Sequence, residues 1–196
     1  MKLQCIAVGL GLALFARVGL AQIDFKVEPN HSTVGFSVSI AGLTKVTGKF
    51  TAFSTAITYN EKEFTHSAVL CSIKVSSIDT GIDGRDKDLQ GEEFFKAAEH
   101  PYIVFKSKRI EKNDNGFAAI GDLTMRGVTK EIALPFIIGE SKMDDGRKIL
   151  GISAQTKINR QDFDVGVNWK HTLIPNFIGD EISVEIDMWT RPPKKP

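Results

Sequence analysis

The side chains best suited to chemistry lie in a charged segment that holds Asp79, Arg85 and Asp86 within eight positions. The planar guanidinium of an arginine presents paired donors that match a phosphate or a carboxylate. The segment therefore predicts either a contact between Arg85 and the anionic head group of a ligand, or charges that pair with one another and order a loop. His31 has two comparable interpretations, as a head-group contact or as a hydrogen-bonding residue that stabilises a turn.

Catalytic and metal-binding patterns are missing from the sequence. Cys71 has no neighbouring general base, and neither a Gly-x-Ser-x-Gly nucleophile elbow nor a glycine-rich phosphate loop occurs. The histidines lack the short spacings of metal ligands; they are His31, His66, His100 and His171. We therefore expect a protein that is not an enzyme and that carries no metal and no cofactor, with a site assembled from distant side chains as the remaining alternative.

The first 21 residues have the pattern of a secretory signal peptide. Lys2 supplies a positive charge, Ile6–Ala16 is an apolar run, and Gly19 and Ala21 place small residues at the −3 and −1 positions of a cleavage site. Arg17 interrupts the run before it reaches the roughly 20 apolar residues that a membrane anchor needs. The sequence predicts cleavage after Ala21 and a periplasmic or secreted protein.

Composition narrows the partners of the mature chain. Loss of residues 1–21 leaves 23 basic residues against 24 acidic ones, a balance that gives no support for nucleic-acid or anionic-membrane binding. Cys71 is then the only cysteine, which excludes an internal disulfide and favours a small buried side chain. Residues 191–196 are basic and proline-rich, and we expect them to form a disordered tail.

Alternating apolar and polar residues indicate β-strands along most of the chain, from residue 23 to residue 190. The stretches 32–41 and 181–188 show strict period-two alternation, as expected for strands with one apolar face. Segments 113–116 and 144–146 are rich in Asn, Asp and Gly, which favour tight hairpin turns. The pattern predicts about eight to nine strands in an all-β fold.

Long alternating strands joined by short loops favour an up-and-down antiparallel barrel or a sandwich. A closed barrel of about eight strands is either filled by side chains or holds one ligand. One short helix is predicted near residues 90–99, where acidic residues precede Phe94 and Phe95 and Pro101 follows. We expect this helix to pack across the sheet or over a barrel mouth.

Apolar side chains of one strand parity are the main candidates for a ligand cavity, which needs a concave apolar surface. They are Val34, Phe36, Val38, Phe50, Val69, Ile73, Phe105, Leu123, Phe136 and Ile152. A long loop, residues 160–177, adds Phe163, Trp169 and Phe177, which would close a barrel mouth or form a small core beneath the loop. For both sets the alternative is a core that these side chains simply fill.

Four groups of motifs occur in order along nearly the whole of the mature chain. They are Asn30-His31-Ser32 with Gly48-Lys49-Phe50; Ser77-Ile78-Asp79-Thr80-Gly81 with Arg85-Asp86, Glu93-Phe94-Phe95 and Pro101; Gly121-Asp122-Leu123-Thr124 with Arg126-Gly127-Val128-Thr129-Lys130; and Ile158-Asn159-Arg160-Gln161-Asp162-Phe163 with Gly179 and the final strand. The ordered set resembles the YceI-like family of secreted proteins. The resemblance implies an antiparallel lipocalin-like barrel over residues 22–190, whose apolar interior accepts an extended isoprenoid or similar lipid.

Three functions follow as hypotheses. The leading one is a binding protein that transports or stores an isoprenoid or quinone-like lipid. The second is an enzyme or redox partner that acts on the held lipid, with transient contact to a membrane cytochrome or a lipid donor. The third is a β-sandwich interaction module without a cavity. The oligomeric state is open, a dimer included. Two positions depart from the family pattern: Ile40, where members often carry histidine, and Asp164, where glycine is common.

Overall fold

A computed structural model of the protein describes residues 22–191. The predicted signal peptide and residues 192–196 of the predicted tail lie outside these residues. Arg191, assigned above to the tail, is the last residue of the final strand. Within residues 22–191, no helix has the length and apolar character needed to cross a membrane.

The described chain consists almost entirely of β-strands. They are β1 (Gln22–Val27), β2 (Thr33–Ile40), β3 (Thr44–Phe50), β4 (Phe53–Asn60), β5 (Ala68–Lys74), β6 (Ile78–Asp79), β7 (Tyr102–Asn113), β8 (Gly116–Met125), β9 (Val128–Lys142), β10 (Lys148–Asn159) and β11 (Ile178–Arg191). A single α-helix of these residues, α1 (Asp83–Gln90), lies between β6 and β7, and four short 3-10 turns interrupt the remaining segments.

The strands form one antiparallel sheet that closes on itself. Its order runs β1-β4-β5-β7-β8-β9-β10-β11, and β11 returns to β1 where Lys26 faces Arg191 and Val27 faces Thr190. Short breaks separate β1 from β2, β3 from β4 and β5 from β6, and β2, β3 and β6 continue the sheet beside β11. Each of these three pairs is therefore one bent strand. The closed eight-stranded antiparallel barrel confirms the predicted fold class and replaces the sandwich alternative.

The short helix is confirmed, but the position predicted for it, near residues 90–99, was wrong. Helix α1 ends at Gln90, and residues after Gly91 form consecutive turns in which Lys96 adopts a φ of 53°. Adjacent residues of an α-helix point about 100° apart. The turns instead allow Phe94 and Phe95 to face the barrel interior together. Burial of two neighbouring aromatic rings thus overrides the helical pattern.

Side chains fill the barrel at the end where β1 begins and β11 finishes. Phe25 and Leu150 are 1% and 0% exposed, and the Tyr59 ring meets Phe25 edge-on at 5.8 Å between centroids. The rings of Phe64 and Phe117 pack at 4.4 Å on the same end. We call this the filled end. The opposite end, the mouth, is formed by residues 41–43, 80–101, 126–127 and 160–177.

Candidate functional site: an apolar cavity at the mouth

A cavity of about 360 Å³ lies inside the barrel at the mouth. All but four of the residues around it are apolar, and the polar ones are Thr80, Arg85, Asp88 and Arg160. The apolar ones are Phe36, Val38, Ile40, Val46, Phe50, Ile78, Leu89, Phe94, Phe95, Ile103, Met125, Ile158, Val165, Trp169, Phe177, Ile178, Ile182 and Val184. Such a surface suits the chain of an apolar ligand.

The structure divides the residues predicted from strand parity and from the long loop into two groups. Phe36, Val38, Phe50, Trp169 and Phe177 line the cavity. The others pack the protein core instead: Val34, Phe105, Leu123 and Phe163 are buried, and Val69, Ile73, Phe136 and Ile152 pack against buried residues. Parity therefore identified the interior, and the height of each residue along its strand decides whether it meets the cavity or the core.

Several lining residues were missed by the sequence reasoning. Ile182 and Val184 belong to the clearest alternating strand, β11, so their parity was available as a signal. Ile40, one of the two positions noted above as departures from the family pattern, lies on the cavity wall. Phe94 and Phe95 also line the cavity, and their predicted helical conformation concealed this shared orientation.

Aromatic rings form one wall of the cavity. The Phe36 ring lies 5.6 Å from Phe50 and the Phe50 ring 6.2 Å from Phe95, between centroids. Phe36 faces Gly48 across the β2–β3 pair, and its ring occupies the space where a side chain at position 48 would stand: a Cβ there would lie 2.4 Å from Cζ of Phe36. Glycine at this position thus makes room for the aromatic wall.

Arg85 is held at the cavity edge by the charged loop. Its Nε donates to the Thr80 hydroxyl at 2.7 Å and its Nη2 donates to the Thr80 carbonyl at 2.8 Å. The Asp86 carboxylate accepts from the backbone N–H and the hydroxyl of Thr80 at 3.0 and 2.5 Å. These bonds order the loop, yet no ion pair within residues 22–191 involves Arg85, and its Nη1 has no hydrogen bond there.

His31 does not line the cavity. It lies in the 3-10 turn Pro29–His31 between β1 and β2, where it is exposed to solvent. Its ring is 6.1 Å from that of Trp189, near the end of β11 and away from the mouth.

Arg160 holds the long loop of the mouth together, a role that the sequence did not reveal. Its Nη1 donates to the carbonyls of Val165 and Gly166 at 2.8 Å each, its Nε donates to the carbonyl of Gly179 at 3.1 Å, and its Nη2 pairs with the Asp180 carboxylate at 2.8 Å. The arginine is 8% exposed. Its donors are therefore committed to the protein, so it is a structural cation.

The loop 160–177 combines both predicted roles. Phe163 is 2% exposed and forms core beneath the loop, whereas Trp169 and Phe177 line the cavity. Asp164, the other departure from the family pattern, has a φ of 57°, in the left-handed region that favours glycine but that aspartate tolerates. The chain therefore makes a tight turn at Asp164.

A second cavity, of about 620 Å³, lies under the same loop. It shares Arg160, Trp169, Phe177 and Ile178 with the apolar cavity, and Lys170 and His171 are among its other lining residues. The two cavities are therefore neighbours at the mouth, one apolar and one of mixed polarity.

Residues 22–191 contain no group of three or more His, Cys, Asp or Glu side chains placed to hold a metal ion. Cys71 is buried in the core, and this burial raises the pKa of its thiol, while the Thr55 hydroxyl donates to the sulfur at 3.3 Å. A buried thiol with a raised pKa is a poor nucleophile.

Comparisons with known proteins agree with this architecture. The chain matches the YceI-like domain over residues 25–189. It is 32% identical to a UPF0312 protein of Enterobacter sp. strain 638, over 84% of this chain and 88% of that protein. The structure of a Campylobacter jejuni YceI protein superposes with a TM-score of 0.68 at 33% identity, covering 78% of this chain and 88% of that one.

A polyisoprenoid binding domain from Saccharophagus degradans has the same fold, with a TM-score of 0.64 at 16% identity, covering 87% of this chain and 99% of that one. The match to the YceI-like domain spans the whole barrel, from β1 to β11. This chain belongs to the YceI-like family.

Proposed function

We propose that this protein binds an amphiphilic lipid with an isoprenoid or similarly extended apolar chain, and carries or stores it. The observation that carries this proposal is the cavity at the mouth, in which only four lining residues are polar. The Saccharophagus degradans domain, which shares the fold, binds polyisoprenoids and thereby supports this ligand class. The signal-peptide pattern of residues 1–21 supports action in the periplasm or outside the cell.

Burial of the ligand's chain supplies the affinity. Each CH₂ removed from water contributes about 0.8 kcal/mol, so roughly five such groups raise the affinity by about three orders of magnitude. The cavity volume of about 360 Å³ lies near the lower end of the range for small-molecule sites, about 300–1,000 Å³. The cavity therefore holds part of a long chain, and the neighbouring cavity of about 620 Å³ offers room for the remainder of that chain.

Arg85 is the side chain best placed to contact that head group. It lines the apolar cavity and keeps Nη1 without a hydrogen bond among residues 22–191, so donors remain for a phosphate oxygen or a quinone carbonyl. Arg160 also lines the cavity, but backbone carbonyls and Asp180 occupy its donors. We thus propose that Arg85 recognises the head group and that Arg160 stabilises the loop.

We propose binding rather than catalysis. An enzyme or redox partner acting on the held lipid needs a titratable group that faces it. Within the described residues, no histidine, cysteine or tyrosine lines the apolar cavity. Its one acidic lining residue, Asp88, lies on α1, three residues after Arg85.

Native mass spectrometry followed by organic extraction tests the proposed function. Ile182→Asp places a carboxylate in the cavity, and Ile137→Asp makes the same change on the exposed barrel wall, where Ile137 is 58% exposed. We expect a stoichiometric lipid adduct for the parent protein and for Ile137→Asp, and its loss in Ile182→Asp. A parent protein that stays without ligand after incubation with polyprenols, polyprenyl phosphates and quinones would refute the proposal.

Arg85→Gln tests the assignment of the head group. It should weaken binding of a polyprenyl phosphate about tenfold and leave binding of the corresponding alcohol within about twofold, because a charge-assisted hydrogen bond contributes about 1.5–3 kcal/mol. Equal losses for phosphate and alcohol would show that Arg85 acts only by ordering the loop.

A further inference from the structure

Two leucines at the mouth are more exposed than any other large apolar side chain of residues 22–191. Leu43, in the turn between β2 and β3, is 89% exposed, and Leu173, in the loop 160–177, is 84% exposed. The next value is 58%, for Ile137 on the barrel wall. Ile174, next to Leu173, is 40% exposed. Exposed apolar side chains that cluster, rather than scatter, mark an interaction surface.

Hydrogen bonds and ring stacking connect the two loops that carry these leucines. The backbone N–H of Ala41, two residues from Leu43, donates to the carbonyl of Phe177 at 2.7 Å. The Phe177 ring stacks on His171 at 4.3 Å between centroids, and Nδ1 of His171 accepts from the N–H of Leu173 at 3.2 Å. Both leucines therefore project from one connected structure.

The two connected loops adjoin the cavity. They also carry lysines close in sequence to the exposed leucines. Ile40 and Phe177, which adjoin the two loop tips, line the cavity. Lys45 and Lys170 are exposed, and neither forms an ion pair within the part of the chain that the structure describes. Apolar side chains that enter the acyl region, flanked by lysines at the level of the phosphates, are the usual anchors of proteins that lie on a bilayer.

We propose that this rim patch, formed by Leu43, Leu173, Ile174, Lys45 and Lys170, docks the mouth of the barrel on the surface of a phospholipid bilayer. The biological benefit of docking rests on the proposed function, because a lipid could then enter the cavity from the bilayer without crossing water. Docking itself requires no ligand in the cavity. Because the mature chain is nearly neutral, the leucines supply most of the free energy of docking and the lysines supply a smaller part.

Co-sedimentation with vesicles that contain no isoprenoid tests the docking. The rim variant Leu43→Ser/Leu173→Ser is compared with a wall variant, Leu70→Ser/Ile137→Ser, whose side chains are 47% and 58% exposed. We expect the partition coefficient on phosphatidylcholine vesicles to fall about tenfold for each rim leucine, and to stay within about twofold for the wall variant. Phosphatidylglycerol should strengthen binding of the parent protein several-fold, and high salt should remove that increment.

The two tryptophans provide a second measurement that does not depend on the rim variant. Trp169 lies in the mouth loop and Trp189 near the end of β11, close to His31. Spin-labelled phosphatidylcholine should quench Trp169 in the Trp189→Phe variant and leave Trp189 unquenched in the Trp169→Phe variant. Equal quenching would overturn the proposed orientation.

The remaining outcomes separate this inference from the proposed function. Absence of sedimentation, or equal losses in the rim and wall variants, would overturn the docking. So would a parent protein that is dimeric in solution while the rim variant is monomeric, since the patch would then be covered by a second copy. A protein that docks as expected but never acquires an isoprenoid from detergent solution would refute the carrier function alone.

Discussion

Alanine in place of Gly48 tests the packing of the aromatic wall. A Cβ at this position would lie 2.4 Å from Cζ of Phe36 and 2.9 Å from Cγ2 of Thr80, distances that real Cβ atoms essentially never show. The backbone of Gly48 does not have a positive φ, so alanine adds a steric conflict and no conformational strain. The Phe36 ring must move, and because it borders the cavity we expect it to turn inwards.

The structure sets the size of the effect. Overpacking of a well-packed site costs about 1–3 kcal/mol, so the free energy of unfolding should fall by this amount. A displaced ring that excludes about two methylene groups of a ligand should weaken its binding roughly tenfold. Gly139→Ala is the matched control, since a Cβ there meets no heavy atom within 4 Å. We expect it to change stability by less than about 0.5 kcal/mol, as an exposed surface substitution.

Urea unfolding measures the stability of each variant, and displacement of a fluorescent lipid measures its affinity. A double-mutant cycle with Phe36→Leu identifies the cause, because a shorter side chain at position 36 relieves the conflict. We expect Phe36→Leu/Gly48→Ala to regain at least about 0.5 kcal/mol relative to the sum of the single changes. If Gly48→Ala has the same free energy of unfolding and the same lipid affinity as the parent protein, the Phe36 ring does not need the space at position 48.

Three further predictions concern buried or coupled groups. Arg160→Gln should lower the free energy of unfolding by about 3 kcal/mol and open loop 160–177 to limited proteolysis, because it removes a buried charge with its hydrogen bonds; an uncleaved loop would contradict this. Cys71 should react with a thiol reagent only as the protein unfolds, since burial raises the pKa of its thiol; rapid labelling of the native protein would contradict it. Hydrogen bonds from the Tyr59 hydroxyl and from Lys148 lower the pKa of Glu140. The ionised carboxylate therefore stabilises the folded state at pH values above its ordinary pKa of 4.5. This stabilisation is lost as the pH falls through the lower pKa of the folded state. Glu140→Gln should flatten the acid side of a stability–pH curve, and an unchanged slope would exclude this contribution.

The fold was predictable because its main signal is local. Period-two alternation in β2 and β11 fixes which side chains face inwards, and the hairpin turns after β7 and β9 fix their neighbours. The cavity was less predictable, because Phe36 and Phe105 have equivalent patterns and differ only in their distance from the mouth. That distance depends on the register of the closed sheet, which local pattern does not contain.

Arg160 shows why other parts of the site escaped prediction. Four of its partners are backbone carbonyls, groups that every residue carries, and the nearest lies five positions away. No residue type in the sequence therefore marks them. The segment after Gly91 shows the reverse case, since its composition suits a helix while the burial of Phe94 and Phe95 selects turns.

The strand pairing that closes the barrel affects the order in which the protein folds. This pairing joins the first strands, β1 and β2, to the last strand, β11. Lys26 lies opposite Arg191, and Val34 lies opposite Ile186. Contacts between opposite ends of a chain form late, because they require closure of the longest loop. A chain synthesised from its N-terminus thus exposes the edge of β2 until residues 178–191 emerge. Unpaired edges invite association with other chains. The 14 residues of β11 therefore complete the wall of the cavity and also end the period in which the nascent protein is vulnerable to aggregation.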